Sequence, residues 1–171
     1  LDIDIDEFDN DYAVLYQNFE ENIYSGLQEA LPLLKKYKAI TLFLSKNQFQ
    51  YTPNGITKGF KRFTNDFGID SRIIDNLEVD CIEAGQAYIL FLESDIIRFM
   101  NHVNKKGLKL GEDVGLLTYD DTPIKQILGE DGITTISNDF QKMGKLAGRM
   151  VRNRQKGKVA SPCSLIVRGS L

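Results

Sequence analysis

Apolar residues occur along this chain in short continuous runs, which are separated by longer amphipathic stretches. The runs at 39–44, 87–92 and 113–118 are of the kind that fills strands buried on both faces of a parallel sheet. The patterns at 1–5, 12–16 and 71–75 predict further strands, and apolar segments at 132–136 and 164–170 follow later in the chain. The predicted strands are therefore numerous enough to form a sheet.

Apolar residues at three- and four-residue steps predict helices between these strands. The helices are expected at 19–37, from the 50–55 loop to about Phe67, from the Glu93-Ser-Asp95 cap to Gly107, and at 139–154. Pro32 should kink or divide the first of them, because proline removes a backbone donor. Strands that alternate with helices predict an α/β fold with a mainly parallel sheet and helices on both faces.

Size and charge narrow the class of protein. A chain of 171 residues fits one ordinary domain. The formal net charge of −3 argues against nucleic-acid binding by this chain itself, which needs a basic face. No apolar run approaches the ~20 residues of a membrane-spanning helix.

The residues that usually carry catalysis or hold a cofactor are missing. The chain has one histidine, His102, and its two cysteines, Cys81 and Cys163, lie far apart without a CxxC pattern. It has no G-x-S-x-G elbow, P-loop or G-x-G-x-x-G motif. We therefore expect no catalytic residues, no cofactor and no metal site.

Acidic residues follow two of the predicted strands. Asp120 and Asp121 end the run at 113–118, and Glu93-Ser-Asp95 follows the run at 87–92. Each group has a plain alternative as a polar turn or a helix cap. Because ligands of open α/β sheets bind beyond the carboxyl ends of the strands, the joint occurrence favours a site for a polar, sugar-like ligand.

The carboxyl-terminal part of the sequence resembles a known family. The ordered segments at 107–121, 133–136, 143–147 and 165–170 are similar to the closing third of LacI/GalR-type effector-binding domains, which are periplasmic-binding-protein-like. The segments at 16–20 and 58–63 look closer to the subgroup with a GntR-type winged-helix DNA-binding head. In that family two α/β lobes close on an effector, and the closure changes the spacing of the DNA-binding heads in a dimer.

The resemblance also implies positions for an effector site. The expected effector-binding residues are Asp120, Ser94, Asn138, Phe140 and, on a weaker alignment, Asp2. Ile56 occupies the place of the family's ligand-clamping arginine, and an alkyl group cannot form the bidentate contacts of a guanidinium. Lys58 and Arg62 are close in sequence but off register to replace it.

The resemblance further implies a division of the chain into lobe and connecting elements. Residues 1–171 would be a fragment of the effector-binding domain, with a C-terminal lobe at about 12–121 and 160–171. Residues 1–11 and 122–159 would cross to an N-terminal lobe outside the chain. We therefore expect the apolar stripe of Phe140, Met143 and Met150 to be uncovered by this chain.

Three functions are compared. The favoured one is the effector-sensing domain of a cytoplasmic transcriptional regulator, which meets DNA only through a head absent from this chain. It would form a homodimer with Ile97, Phe99 and Ile124 as candidate contacts, although each of them fits a core position equally well. The alternative is a solute-binding protein of a sugar transport system, and an α/β enzyme is the least supported.

Overall fold

The computed structural model describes residues 12–45, 52–75, 77 and 82–171, in which strands and helices alternate. The strands are β1 (Ala13–Tyr16), β2 (Ala39–Phe43), β3 (Ser71–Ile74), β4 (Gln86–Leu90), β5 (Val114–Tyr119), β6 (Thr134–Asn138), β7 (Gly157–Ala160) and β8 (Cys163–Ile166). The helices are α1 (Phe19–Leu34), α2 (Asn54–Phe67), α3 (Glu93–Lys105), α4 (Pro123–Ile127) and α5 (Phe140–Arg152). The α/β fold class predicted from the sequence is confirmed.

Six strands form the main sheet in the order β3-β2-β4-β5-β6-β8. All neighbouring pairs are parallel except β6 and β8, which are antiparallel. The chain moves outward from β2 to β3 and then returns to place β4 on the other side of β2. This reversal creates a switch point between the carboxyl ends of β2 and β4, where open α/β sheets bind ligands.

Helices cover both faces of the main sheet, which explains the continuous apolar runs. Every residue of β4 and β5 is buried, as expected for central parallel strands. On one face, α1 and α2 pack through Ile23, Leu27 and Phe60 onto the sheet. On the other face, α3 packs through residues at helical spacing, Ile96, Phe99 and Val103.

Pro32 does not divide the first helix. Helix α1 runs without interruption from Phe19 to Leu34, with Pro32 in its exposed last turn. At that position the proline removes only one backbone donor, from a hydrogen bond close to the end of the helix. The prediction that the helix is divided here is therefore wrong.

A smaller unit stands beside the main sheet. Strand β1 pairs in parallel with β7, a strand the sequence pattern did not predict, and α5 packs against the pair. Met143 and Met150 are buried there with Leu15. The expectation of an uncovered apolar stripe is wrong for these two methionines, because β1 and β7 cover them. It holds for Phe140, which is 50% exposed.

The three residues predicted for a dimer contact have different surroundings. Ile97 is 44% exposed on the outer face of α3, and Ile124 is half-buried at the start of α4. Phe99 is fully buried and packs against Tyr88, with ring centroids 5.1 Å apart. The prediction that Phe99 offers a surface contact is wrong, because the helical turn directs it onto the sheet.

Candidate functional site

The candidate site lies at the carboxyl ends of β5 and β6, where the chain turns sharply after Tyr119. Asp120 adopts a left-handed backbone conformation with φ of 58°, which aspartate tolerates better than most residues. The buried Lys125 Nζ donates to the carbonyl oxygens of Tyr119 (2.7 Å) and Asp120 (2.6 Å). Burial lowers the pKa of Lys125, while the charge of Asp120 opposes that shift. Lys125 thus fixes the turn that presents Asp120.

Asp121 is bound to the scaffold of the same lobe. Its two carboxylate oxygens each accept a hydrogen bond of 2.8 Å from the guanidinium of Arg168. Arg168 also donates to the carbonyl oxygen of Ile133. The hydrogen bonds from Arg168 hold the pKa of Asp121 below its ordinary value, against an opposing effect of burial. Of the two adjacent acids, Asp121 therefore has a structural role.

A buried polar network lies beneath Asp120. The Asn138 amide group donates to the Tyr119 hydroxyl at 3.0 Å and contacts the side-chain oxygen of Gln17. The Asn22 amide group, on α1, donates to the Tyr119 hydroxyl at 3.0 Å and to the Asn138 side-chain oxygen at 3.2 Å. Such satisfied networks rigidify their surroundings. Burial raises the pKa of Tyr119, so its hydroxyl stays protonated and can donate.

Asp120 lies at the outer border of this network. Its side chain is half-buried, and its Oδ1 is 3.4 Å from the Asn138 amide nitrogen. Cys163 on β8 is close enough to experience its charge: burial first, and Asp120 second, raise the pKa of that thiol to about 12. The structure therefore brings together two of the predicted site residues, Asp120 and Asn138.

The loop after β4 is joined to the turn after β5. Glu93 at the start of α3 accepts a 2.9 Å hydrogen bond from the hydroxyl of Thr122. Ser94, the next residue, is exposed in the first turn of α3. The predicted contacts Ser94 and Asp120 thus lie on adjacent strand ends of one sheet edge, which matches the arrangement expected from the sequence.

Aromatic side chains surround the same edge. The Tyr119 ring has the rings of Phe19 and Phe91 at centroid distances of 5.9 and 6.2 Å. Because Tyr119 is only 5% exposed, its ring packs in the core and is covered against stacking on a ligand. Phe140, which begins α5 after the cap formed by Asp139, remains half exposed two residues beyond Asn138.

Ile56 is a core residue rather than an exposed contact. It is 3% exposed and belongs to the apolar core between α1, α2 and the sheet. Arg62 cannot replace the arginine missing at that position, because it pairs with Glu20 and Glu21 and lies 3.8 Å from the Tyr24 ring centre. The remaining predicted contact, Asp2, lies outside the described residues.

Sequence reasoning missed several residues of the site. Gln17, Asn22 and Lys125 were not predicted, and Arg168 was noted only as part of the ending motif. Asn22 had a signal in the sequence, because it is an amide on the face of α1 that carries Gly26 and Ala30. Lys125 had no such signal in the sequence, since a lysine in a turn is ordinarily solvated.

No metal site is formed in the described part of the chain, where no cluster of three or more His, Cys, Asp or Glu side chains is suited to hold an ion. Among the same residues, no helix is both long and apolar enough to cross a bilayer.

The chain thus forms an open, mainly parallel α/β sheet with polar groups gathered at one carboxyl edge. Residues 35–171 match the periplasmic-binding-protein-like domain family, and the chain belongs to that family. A search of curated proteins finds no match.

Solved structures show the same fold at low sequence identity. A transcription-regulator-like protein from Staphylococcus haemolyticus aligns with a TM-score of 0.75 at 14% identity, covering 100% of this chain and 65% of that one. A LacI-family transcription repressor from Corynebacterium glutamicum aligns with a TM-score of 0.69 at 18% identity, and the alignment covers 92% of this chain and 66% of that one. The Lac repressor dimer bound to operator and the anti-inducer ONPF aligns with a TM-score of 0.68 at 19% identity, and the alignment covers 91% of this chain and 52% of that one. The chain thus spans less than two thirds of the length of these proteins.

Proposed function

We propose that this chain is the effector-sensing part of a DNA-binding transcriptional regulator. A sugar-like small molecule binds at the carboxyl edge of β4, β5 and β6 and controls operator binding. The observation that carries the proposal is the half-buried Asp120 carboxylate, held above the buried network of Asn138, Tyr119 and Asn22. A carboxylate fixed in this way can accept hydrogen bonds from two adjacent hydroxyl groups of a ligand.

The rigidity of the edge supports the proposal. Lys125 fixes the backbone of the Asp120 turn, and the pair of Asp121 and Arg168 anchors the next residue to the sheet. Little ordering of the protein is then needed when a ligand binds, which lowers the cost of association. Ser94 and Phe140 are the exposed predicted contacts at this edge, and Asn138 acts on the ligand through its bond to Asp120.

The regulatory part of the proposal extends to a complete protein. The solved Lac repressor dimer holds both operator and anti-inducer, and a related arrangement would place a DNA-binding head, of the GntR winged-helix type, beyond this chain. Such a regulator would act in the cytoplasm as a homodimer.

A thermal-shift screen with monosaccharides and sugar phosphates tests the ligand site. Binding to the folded state raises the melting temperature by mass action. A ligand at a hundredfold excess over its Kd adds about 2.7 kcal/mol to the free energy of unfolding. Asp120→Asn is the informative variant, because asparagine also tolerates the left-handed backbone but lacks the charge. We expect a ligand that stabilises the unchanged protein to lose most of its effect on this variant.

Asp70→Asn is the matched control, since Asp70 is an exposed acid where β3 begins, at the opposite edge of the sheet. A ligand that stabilises the unchanged protein, Asp120→Asn and Asp70→Asn equally would remove Asp120 from the site.

The regulatory role is tested by a gel-shift measurement on the complete protein with its own promoter DNA. An effect of the ligand on that affinity separates a regulator from a solute-binding protein.

A further inference from the structure

A narrow pocket lies at the switch point of the main sheet, between the carboxyl ends of β2 and β4. Its volume is about 10 Å³, which is room for one group about the size of a water molecule, and it is lined by Phe43, Ser45, Thr52, Phe91, Leu92 and Asp95. We call it the Asp95 pocket. Phe91 also packs against Tyr119, so the pocket adjoins the candidate effector site.

The carboxylate of Asp95 is the unusual feature of the pocket. Asp95 is 4% exposed, and its Oδ2 is buried without a hydrogen-bond partner. The nearest cation is Arg98, whose guanidinium lies 4.0 Å from the other oxygen and is half exposed to solvent. A buried charge left unpaired is costly, so folded proteins ordinarily pair or hydrogen-bond such groups.

The position of Asp95 in its helix gives only part of an explanation. It stands in the first turn of α3, where the helix dipole favours a negative charge. However, no side chain caps the helix here, and the Asp95 carboxylate receives no backbone donor. Burial raises the pKa of Asp95, and Arg98 counteracts this only in part. The described residues therefore supply no hydrogen-bond donor to the Oδ2 atom of this carboxylate.

The lining of the pocket indicates the chemistry of the missing group. Among the described residues, none that lines the pocket is a lysine or arginine. The aromatic residues Phe43 and Phe91 line it as well, and the face of an aromatic ring attracts a cation. Ser45 and Thr52 add hydroxyl groups that can accept a hydrogen bond. Carboxylate, hydroxyl and aromatic groups together suit a primary ammonium ion.

We infer that the Asp95 pocket binds a primary ammonium group of the effector, so that the ligand is an amino-bearing small molecule such as an amino sugar. This inference rests on the proposed function, because it names the class of effector for the same sheet edge. Asp120 would accept from the hydroxyl groups of the ligand, and Asp95 would pair with its charged nitrogen.

Methylammonium chloride is the probe, because it carries the proposed group and little else. The melting temperature of the 171-residue chain is measured with methylammonium, with tetramethylammonium, which has no N–H donor, and with potassium chloride at the same ionic strength. We expect a saturable rise with methylammonium only. The same rise is expected for Asp70→Asn, which changes an exposed acid at the opposite edge of the sheet, and it is lost in Asp95→Asn.

The unliganded variants give a second criterion. Asp95→Asn should melt at the same temperature as the unchanged chain or higher, because it removes an unpaired buried charge without changing the shape. Strong destabilisation would identify Asp95 as a structural residue and overturn the inference. If the variant does not fold, the carboxyl ¹³C signal of Asp95 in the unchanged chain is followed instead, and it must shift saturably with methylammonium.

The result also separates this inference from the proposed function. A methylammonium response that persists in Asp120→Asn, together with a failed sugar screen, supports the Asp95 pocket and contradicts the sugar site. A sugar that binds through Asp120 while methylammonium acts no differently from potassium overturns the Asp95 pocket and leaves the proposed function standing.

Discussion

Two adjacent aspartates after β5 differ in role because of one neighbour. Asp121 faces Arg168, and its side chain is only 15% exposed, whereas Asp120 is turned by its left-handed backbone toward the border of the sheet. The guanidinium binds both oxygens of Asp121, a geometry that favours the charged carboxylate.

Replacing Asp121 by asparagine tests its structural role. The change leaves the Arg168 charge, 17% exposed, without its counter-ion, and breaking a pair this well buried costs about 3 kcal/mol. We expect this loss in the free energy of unfolding by urea at neutral pH. Glu112→Gln, which opens an exposed pair with Lys109, should have no measurable effect.

The same variant has a defined pH dependence. The pKa of Asp121 is lower in the folded chain than in the unfolded one, so its contribution is fully present above the unfolded value of about 3.9. The contribution is lost as the pH falls through the folded pKa. The difference in stability between the unchanged chain and Asp121→Asn should therefore shrink below about pH 4; a difference that grows there would contradict the pairing.

At the level of elements, the contact between α1 and α2 depends on a close approach of their backbones. A Cβ added at Gly59 would collide with the carbonyl oxygen of Glu20 and lie 3.2 Å from the Cβ of Ile23. The two helices pack closely because this glycine has no side chain. The same face of the sheet carries the polar network, so the packing of α1 also positions Asn22.

Gly59→Ala and Gly144→Ala form a matched pair of variants. We expect Gly59→Ala to destabilise the chain by about 1–3 kcal/mol, because the helices must move apart. Gly144 lies in α5 with nothing within 4 Å of an added Cβ, so alanine there should stabilise by up to ~1 kcal/mol through its helix propensity. Chemical denaturation measures both, and equal effects of the two changes would refute the packing argument.

At the scale of the whole molecule, several large apolar side chains of the described residues are exposed. Ile97 on α3 and Ile127 on α4 are 44% and 78% exposed. Phe140 and Val151 on α5 are 50% and 78% exposed. Exposed apolar groups of this size commonly mark contacts with another protein surface. Ile97 is also one of the residues predicted for a homodimer contact.

Ile97→Glu tests the proposed dimer. A charge placed in an apolar contact must be desolvated, so the variant should sediment as a monomer at concentrations where the unchanged protein is a dimer. Ile73→Glu is the control, because Ile73 is 39% exposed on β3, the edge strand of the sheet. A protein that is monomeric at every concentration, or a dimer unaffected by Ile97→Glu, would contradict a dimer contact at Ile97.

The sequence determined the α/β class, the four main-sheet strands β2 to β5 and the position of Asp120, because these depend on local apolar periodicity and on acids that directly follow a strand. It did not predict β7, whose half-exposed residues, Gly157–Ala160, have no continuous apolar run. Only the tertiary structure showed that Arg168 binds Asp121, that β1 and β7 cover Met150, and that Asp95 is buried. Each of these depends on residues distant in the chain or on the orientation of one helix, and local patterns carry no information about either.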